Sequence, residues 1–176
     1  MSGKPVWQTG AMRRWSVASG LLETDGRLLL VANRRRNGAV DWSPPGGVID
    51  EGEHEIDALT REVVEETGLR VTRWLGPLYA INVVFAELQW DLRVVVYRAE
   101  AWDGEILLDD PDGIVHDARF LEHDDCRDRL QQSPLWVSDP ILEWMLEPWS
   151  SHREFRYHVA GTNQSTLVVN RLAGEH

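Results

Sequence analysis

Residues 46–69 read GGVIDEGEHEIDALTREVVEETGL, and this stretch decides the reading of the whole chain. From Gly47 to Leu69 it holds eight acids (Asp50, Glu51, Glu53, Glu55, Asp57, Glu62, Glu65 and Glu66) and one base, Arg61. That is a net −7 in 23 residues, most of the chain's excess of −11. Such a density of like charge repels itself unless something cationic sits there.

The pattern predicts a helix from Glu55 to Thr67, stopped by Gly68, which can take the left-handed cap. Positions three and four apart share a helix face, so Glu62, Glu65 and Glu66 point the same way, with Ala58 a turn earlier. Ile56, Leu59 and Val63 form a neighbouring apolar stripe that docks on a sheet. The helix is thus fixed by one flank and presents three carboxylates from the other. Hard oxygen donors suit Mg²⁺ or Mn²⁺. Zinc is disfavoured, because no His/Cys ligand spacing is present. The bland alternative is a merely solvated acidic face, which is what most charged helix faces are.

Outward from this segment, Trp15–Glu23 and Arg27–Asn33 read as two strands joined at Thr24-Asp25-Gly26. A polar loop over Arg34–Asp41 follows. Trp42-Ser43-Pro44-Pro45-Gly46-Gly47 is excluded from helix by its Pro and Gly. Strands are expected at Val71–Trp74, Leu78–Phe85, Leu92–Ala99 and Ile114–Leu121, with an acidic loop between Gly104 and Gly113. Short helices are expected at Asp124–Gln132 and Asp139–Leu146, the second with Asp139 as N-cap and Pro140 at its first position. Phe155–Ala160 and Thr166–Leu172 suit a terminal hairpin. This mixture indicates an α+β or three-layer α/β/α domain. The expected division is a polar arm over 1–14, one domain over 15–147 and a C-terminal extension over 148–176.

Length and composition fit that division. A chain of 176 residues with 43% apolar and 27% charged residues can bury one core without staples. No run approaches the ~18 apolar residues of a membrane span. The first 15 residues lack the apolar region of a secretory signal. A lone cysteine, Cys126, forms no internal disulfide, which suits a reducing cytoplasm. The net charge of −11 argues against sequence-independent binding of duplex nucleic acid. It does not exclude an anionic small substrate, provided a divalent cation and a few arginines reverse the local field.

The segment also satisfies G-x5-E-x7-R-E-U-x-E-E-x-G-U at every fixed place: Gly47, Glu53, Arg61, Glu62, Val63, Glu65, Glu66, Gly68 and Leu69. Average residue usage would yield this by chance in fewer than roughly one chain in 10⁷. The motif is the Nudix box, and the chain resembles a Nudix hydrolase over residues 47–69 and in the order of elements from about 15 to 146. The resemblance implies a mixed β-sheet between helices, with the box forming a loop, helix and loop. It implies Mg²⁺-dependent hydrolysis of a nucleoside diphosphate linked to another moiety. Glu62 and Glu66 are then the main metal ligands, Glu65 a ligand or the base that activates water, and the Gly46 carbonyl a further ligand. Glu53 and Arg61 are structural, the guanidinium bridging the loop acid and orienting Glu62, and Gly47 and Gly68 serve the backbone. The catalytic set is thus Glu62, Glu65, Glu66 and Arg61.

Weaker signals surround it. Arg34-Arg35-Arg36 is either a phosphate-binding turn, with Arg34 and Arg36 preferred, or a solvated basic turn. Asp109, Asp110 and Asp112 sit where many Nudix enzymes place a later carboxylate ligand; Asp112 is preferred, against the reading of a merely exposed acidic loop. Trp42 or Trp90 can stack a base, although packing is the commoner use of tryptophan. Trp136, Trp144 and Trp149 mark a candidate homodimer surface. His116 and Cys126 read as structural. Pro44 replaces the leucine of many members, which should tighten the loop. No marker of a substrate subclass is found outside the box, so the substrate is expected only as a nucleotide-type small molecule. Against the enzyme stands a second reading, a Nudix-derived nucleotide-binding or sensing module. The intact Glu62, Glu65 and Glu66 favour the enzyme, since a pure sensor need not keep all three.

Overall fold

The helix expected from the acidic segment forms as α1 (Glu55–Thr67) and ends on Gly68 in the left-handed conformation. It appears in a computed structural model that describes residues 12–163 and 166–173. The expected arm over 1–14 lies outside the described residues up to Ala11; Arg13 and Arg14 already belong to a strand.

Two sheets receive the helices. The first has six strands in the order β10-β9-β6-β7-β1-β5, with β1 (Arg13–Leu21), β5 (Gly46–Val48), β6 (Arg70–Phe85), β7 (Trp90–Asp103), β9 (Arg153–Ala160) and β10 (Val168–Leu172). β1 runs parallel to β7 and β6 parallel to β9; the other pairs are antiparallel, so the sheet is mixed. The second sheet is built on β3 (Arg27–Arg34), which pairs with β2 (Glu23–Thr24), β4 (Val40–Ser43) and β8 (Val115–Glu122).

Both faces of the central strands are buried, and the period-two alternation of a strand assigns them to two cores. On β3, Leu29 and Val31 join Leu59 and Val63 of α1, together with Val95 and Tyr97 of β7. Leu28, Leu30 and Ala32 face the opposite way, onto Cys126 and Leu130 of α2 (His123–Leu130) and Ile141 and Trp144 of α3 (Leu135–Leu146). Helices therefore cover both sides, which is the expected α+β arrangement of a mixed sheet between helices. No helix of the described residues is long and apolar enough to cross a membrane.

Four local expectations need correction. The strand expected over Trp15–Glu23 stops at Leu21, and only Glu23–Thr24 forms the hairpin with β3, turning on Asp25 and Gly26 with φ of 51° and 71°. The chain changes sheets at Leu22, a step invisible to alternation because both sheets bury apolar residues there. The segments 71–74 and 78–85 are one strand, β6, whose register with β7 skips between Leu75 and Tyr79, around Gly76-Pro77. α3 begins at Leu135, with Pro134 as its cap residue, so Asp139 is no N-cap and Pro140 lies inside the helix. Asp139 instead accepts hydrogen bonds from the Tyr157 hydroxyl (2.8 Å) and from Arg171 (3.0 Å). Lastly, Trp144 is buried and cannot mark an outer surface, and Trp149 packs against Tyr79 and Phe155 beneath the Arg153 guanidinium, 4.0 Å from its ring.

The terminal hairpin is built as expected from β9 and β10, and β9 pairs along β6 from Tyr79 to Phe85. Its Phe155, Tyr157 and Val159 are buried in the core beneath α3. Tyr157→Ala should therefore cost about 3–5 kcal/mol, as core aromatic truncations do. Urea unfolding would measure it; a loss below about 0.5 kcal/mol, the range of surface substitutions, would mean that the hairpin is an appendage.

Candidate active site

α1 is anchored through Ala58, Leu59 and Val63, all fully buried, which leaves Glu62, Glu65 and Glu66 at the edge between helix and loop. The preceding loop is tied to β1, because the Gly20 N–H (3.0 Å) and the Ser19 hydroxyl (3.2 Å) both donate to the Pro45 carbonyl. Gly46 and Gly47 then pair with Ser19 and Ala18, which lays β5 beside the helix.

Arg61 is the hub of the site. Its Nε donates to Glu53 Oε1 (3.1 Å) and its Nη2 to Glu53 Oε2 (3.0 Å), a two-point fork. Its Nη1 donates to Glu62 Oε1 at 2.7 Å and reaches Glu65 Oε2 at 3.4 Å. The Arg61 pairing holds the Glu53 carboxyl below the usual carboxylate range. Glu62 lies directly over Gly47: a Cβ there would sit 2.3 Å from the Glu62 carboxyl carbon. Any side chain there would displace the Glu62 carboxylate from this position.

Glu66 has a different environment. Its Oε2 accepts the Gly46 N–H at 2.9 Å, and no guanidinium reaches it among the described residues. Burial, outweighing that hydrogen bond, and the charges of Glu62, Asp110 and Glu65 push its carboxyl up to about 8. Burial also raises Glu62, against the opposing pull of Arg61. Glu62 and Glu65 thus share one guanidinium, and Glu66, which has none among the described residues, is the most buried of the three.

The other expected residues are placed as follows. Asp112 is exposed on the Gly104–Gly113 loop, and its charge is felt at Glu62. Arg34 and Arg36 are exposed and have no ion pair among the described residues, whereas Arg35 forks onto Asp41 with both contacts at 2.7 Å. Trp42 is buried beneath Arg129, 5.0 Å from its ring, and so is not free to stack a base. Trp90 remains 39% exposed, edge-on to Phe85, whose ring also meets Trp136. Cys126 is buried and its thiol is pushed up to about 11 by burial, so it is inert.

Two residues have roles that the sequence reading did not assign: Thr67, read only as the last residue of the helix, and Asp110, read only as one of three candidate loop carboxylates. Thr67 donates to Val63 O (2.6 Å) and accepts from Leu69 N (3.1 Å), closing the helix end. Asp110 organises the loop that carries Asp112, its carboxylate accepting the Asp112, Ile114 and Val115 amides. Its signal was present as Asp110-Pro111-Asp112-Gly113, the residue order of a tight turn.

Among the described residues, no three acidic, His or Cys side chains already stand together as a ready-made metal cage. The chemistry of the donor set nevertheless fits a hard divalent cation. It consists of carboxylate oxygens, in excess over positive charge, two of them held above their usual range by burial and mutual repulsion. Arg61 occupies the Glu62 Oε1 oxygen.

The family model of the NUDIX domain matches residues 12–145. The chain belongs to the Nudix family. It is 34% identical over 85 residues to an oxidized purine nucleoside triphosphate hydrolase of Danio rerio, covering 48% of this chain and 54% of that protein. It is 30% identical over 108 residues to an RNA pyrophosphohydrolase of Brucella anthropi, covering 54% and 62%. The chain spans between 34% and 62% of the length of the curated relatives it matches. The crystal structure of a MutT Nudix hydrolase from Burkholderia pseudomallei superposes with a TM-score of 0.57 at 26% identity, covering 69% of this chain and 99% of that one.

The state of Glu66 makes a measurable difference in the metal-free Nudix protein. An unfolded chain releases this proton near 4.5, the fold only near 8. Glu66's contribution is therefore fully present below pH 4.5 and is lost as pH rises through 8. Glu66→Gln, neutral throughout, should gain stability relative to the unsubstituted protein as pH rises from 5 to 8, in urea titrations run with chelator. A difference independent of pH would contradict this assignment.

Proposed function

We propose that the chain is a Mg²⁺-dependent pyrophosphohydrolase. Its substrate is a nucleoside diphosphate linked to another moiety, of the nucleoside triphosphate or nucleotide-sugar type, and water is the attacking group. The observation that carries this reading is the arrangement of Glu62 and Glu65 on one Arg61 that is itself locked by Glu53, with Glu66 of the same helix edge held only by the Gly46 N–H. The clustered negative charge is held in place by the fold although it costs stability, which is the signature of a functional site.

Glu62 and Glu66 would hold Mg²⁺, or Mn²⁺ in its place, with Glu65, the Gly46 carbonyl and Asp112 as further donors. When bound, the cation neutralises the diphosphate and acidifies a water molecule. The chain's own groups do the rest. Arg61 fixes the Glu62 carboxylate through its 2.7 Å bond and keeps it over Gly47. Glu65, with only a 3.4 Å contact to Arg61, is the carboxylate available to accept a proton from the attacking water. Arg34 and Arg36, exposed and free of acidic partners among the described residues, would bind phosphate oxygens of the substrate. Trp90, exposed beside Phe85, offers a stacking face for the base. Such positioning and charge compensation constitute most of the catalysis in phosphoryl chemistry. The named activities of the Danio rerio and Brucella anthropi relatives, on a nucleoside triphosphate and on RNA, support this substrate class.

Glu62→Gln and Glu66→Gln should each reduce turnover by at least ~10²-fold, the scale of a lost charge-stabilising group, while circular dichroism shows an intact fold. The assay separates the cleavage products chromatographically after incubation in Mg²⁺ with a panel of nucleoside triphosphates (oxidised ones included), ADP-ribose, NADH, dinucleoside polyphosphates and capped RNA: inorganic phosphate or pyrophosphate is expected from the triphosphates, and two phosphate esters or nucleotides from the doubly substituted diphosphates. Near-wild-type rates for both variants at saturating Mg²⁺ would overturn the site. Silence of the unsubstituted protein across the panel, with nucleotide binding retained, would identify a sensing module instead.

A further inference from the structure

The second sheet ends at β4, which pairs with β3 alone among the described residues. An edge strand leaves outward N–H and C=O groups that need partners. At Trp42 one side chain supplies both. The Ser133 hydroxyl donates to Trp42 O at 2.5 Å and accepts from Trp42 N at 3.2 Å. Ser133 lies in the turn between α2 and α3, and its own N–H donates to Leu130 O at 3.0 Å, so the hydroxyl is carried by the fully buried end of α2. Four residues after Trp42 comes Gly46, whose N–H meets Glu66 Oε2 at 2.9 Å. Between them stand Ser43, Pro44 and Pro45. Each proline fixes its own φ and restricts the residue before it, so this stretch transmits a displacement instead of absorbing it. β3 grips β4 from the inner edge, where Asn33 Nδ2 adds a 2.9 Å bond to Ser43 Oγ. Pairing on one edge alone leaves a strand end free to rock; Ser133 closes the other edge.

We propose that Ser133 is a positioning residue of this site: by holding both outward backbone groups of Trp42 it stops β4 from rocking, and through Pro44 and Pro45 it aims the Gly46 N–H at Glu66. What that alignment serves rests on the hydrolase reading above. The action of Ser133 is indirect, transmitted along the segment that joins β4 to the box. The turn between α2 and α3 thereby supports the site, although both helices pack in the opposite core from α1.

The experiment measures amide exchange by NMR in the metal-free full chain, beside Mn²⁺ titration by calorimetry and urea unfolding. Ser133→Ala should speed exchange at Trp42 and also at Gly46 by about 10-fold each, the scale of one ordinary hydrogen bond. Mn²⁺ binding should weaken about 10-fold, as when a group supporting a ligand is lost. Ser133→Thr, which keeps the hydroxyl, should restore both. Pro44→Ala keeps the Ser133 contact but softens the segment, so exchange should rise at Gly46 and not at Trp42. It also serves as the test variant if Ser133→Ala does not fold. Faster exchange at Trp42 with Gly46 and Mn²⁺ binding unchanged would make Ser133 merely structural and overturns the proposal. So does a rise spread over all amides in step with the loss of urea stability, or a Ser133→Thr variant in which Gly46 stays fast. If Glu62→Gln and Glu66→Gln bind Mn²⁺ as the unsubstituted protein does, the hydrolase reading fails, while exchange at Gly46, which involves no metal, still decides the role of Ser133.

Discussion

Like charges close together on one helix are the constraint around which this structure is arranged. Two carboxylates 4 Å apart at a protein surface repel by roughly 4 kcal/mol, and α1 carries three within two turns. The fold tolerates them by giving each a different contact. Glu62 takes the short Arg61 bond, Glu65 the long one, and Glu66 a backbone N–H from Gly46. Only one of these partners is a full positive charge, and it is shared with Glu53. The remaining imbalance is not relieved within the described residues, and it appears as the raised carboxyls of Glu62 and Glu66.

Keeping that imbalance in place requires the helix to be fixed independently of its charged edge. Two cores on opposite faces of the same strands provide the anchor. Leu59 and Val63 pack with β3 and β7 residues on one side, while α2, α3 and β9 brace the other. The loop before α1 is held as firmly, since Ser19 and Gly20 of β1 both bond the Pro45 carbonyl. Gly46 therefore brings its N–H to Glu66 from a strand, not from a free loop, and Gly47 brings a bare Cα under Glu62.

Much of this was legible in the chain because the box is local. Helix limits, the Gly68 cap and the common face of Glu62, Glu65 and Glu66 follow from spacing within 24 residues, and the Glu53–Arg61 bridge is what the resemblance to the Nudix box implies. What spacing did not reveal depends on distant partners. Asp139 reads as a cap until Tyr157 and Arg171 claim it from the terminal hairpin. Trp42 reads as a stacking platform until Arg129 of α2 covers its ring. The end of β1 is hidden because Leu21 and Leu22 are both fully buried, in different cores. Arg35 could not be separated from Arg34 and Arg36 until Asp41 was seen beside it.

The last glycine of the box shows why the motif extends beyond its carboxylates. Gly68 takes φ of 77°, which ends the helix at little steric cost, as L side chains rarely allow. Its open side is also where the acidic loop passes: a Cβ there would meet Glu105 O and the Leu107 backbone at 3.0 Å. A residue that could accept the dihedral but carried a side chain, such as asparagine, would still push this loop away. Terminating the helix and admitting the loop are thus one requirement on one residue. The freed Thr67 carbonyl, which an uninterrupted helix would have bonded, is the acceptor that the Leu107 amide finds. Helix end and loop therefore behave as a single unit, and the position of Asp112 relative to Glu62 is set partly by where the helix stops.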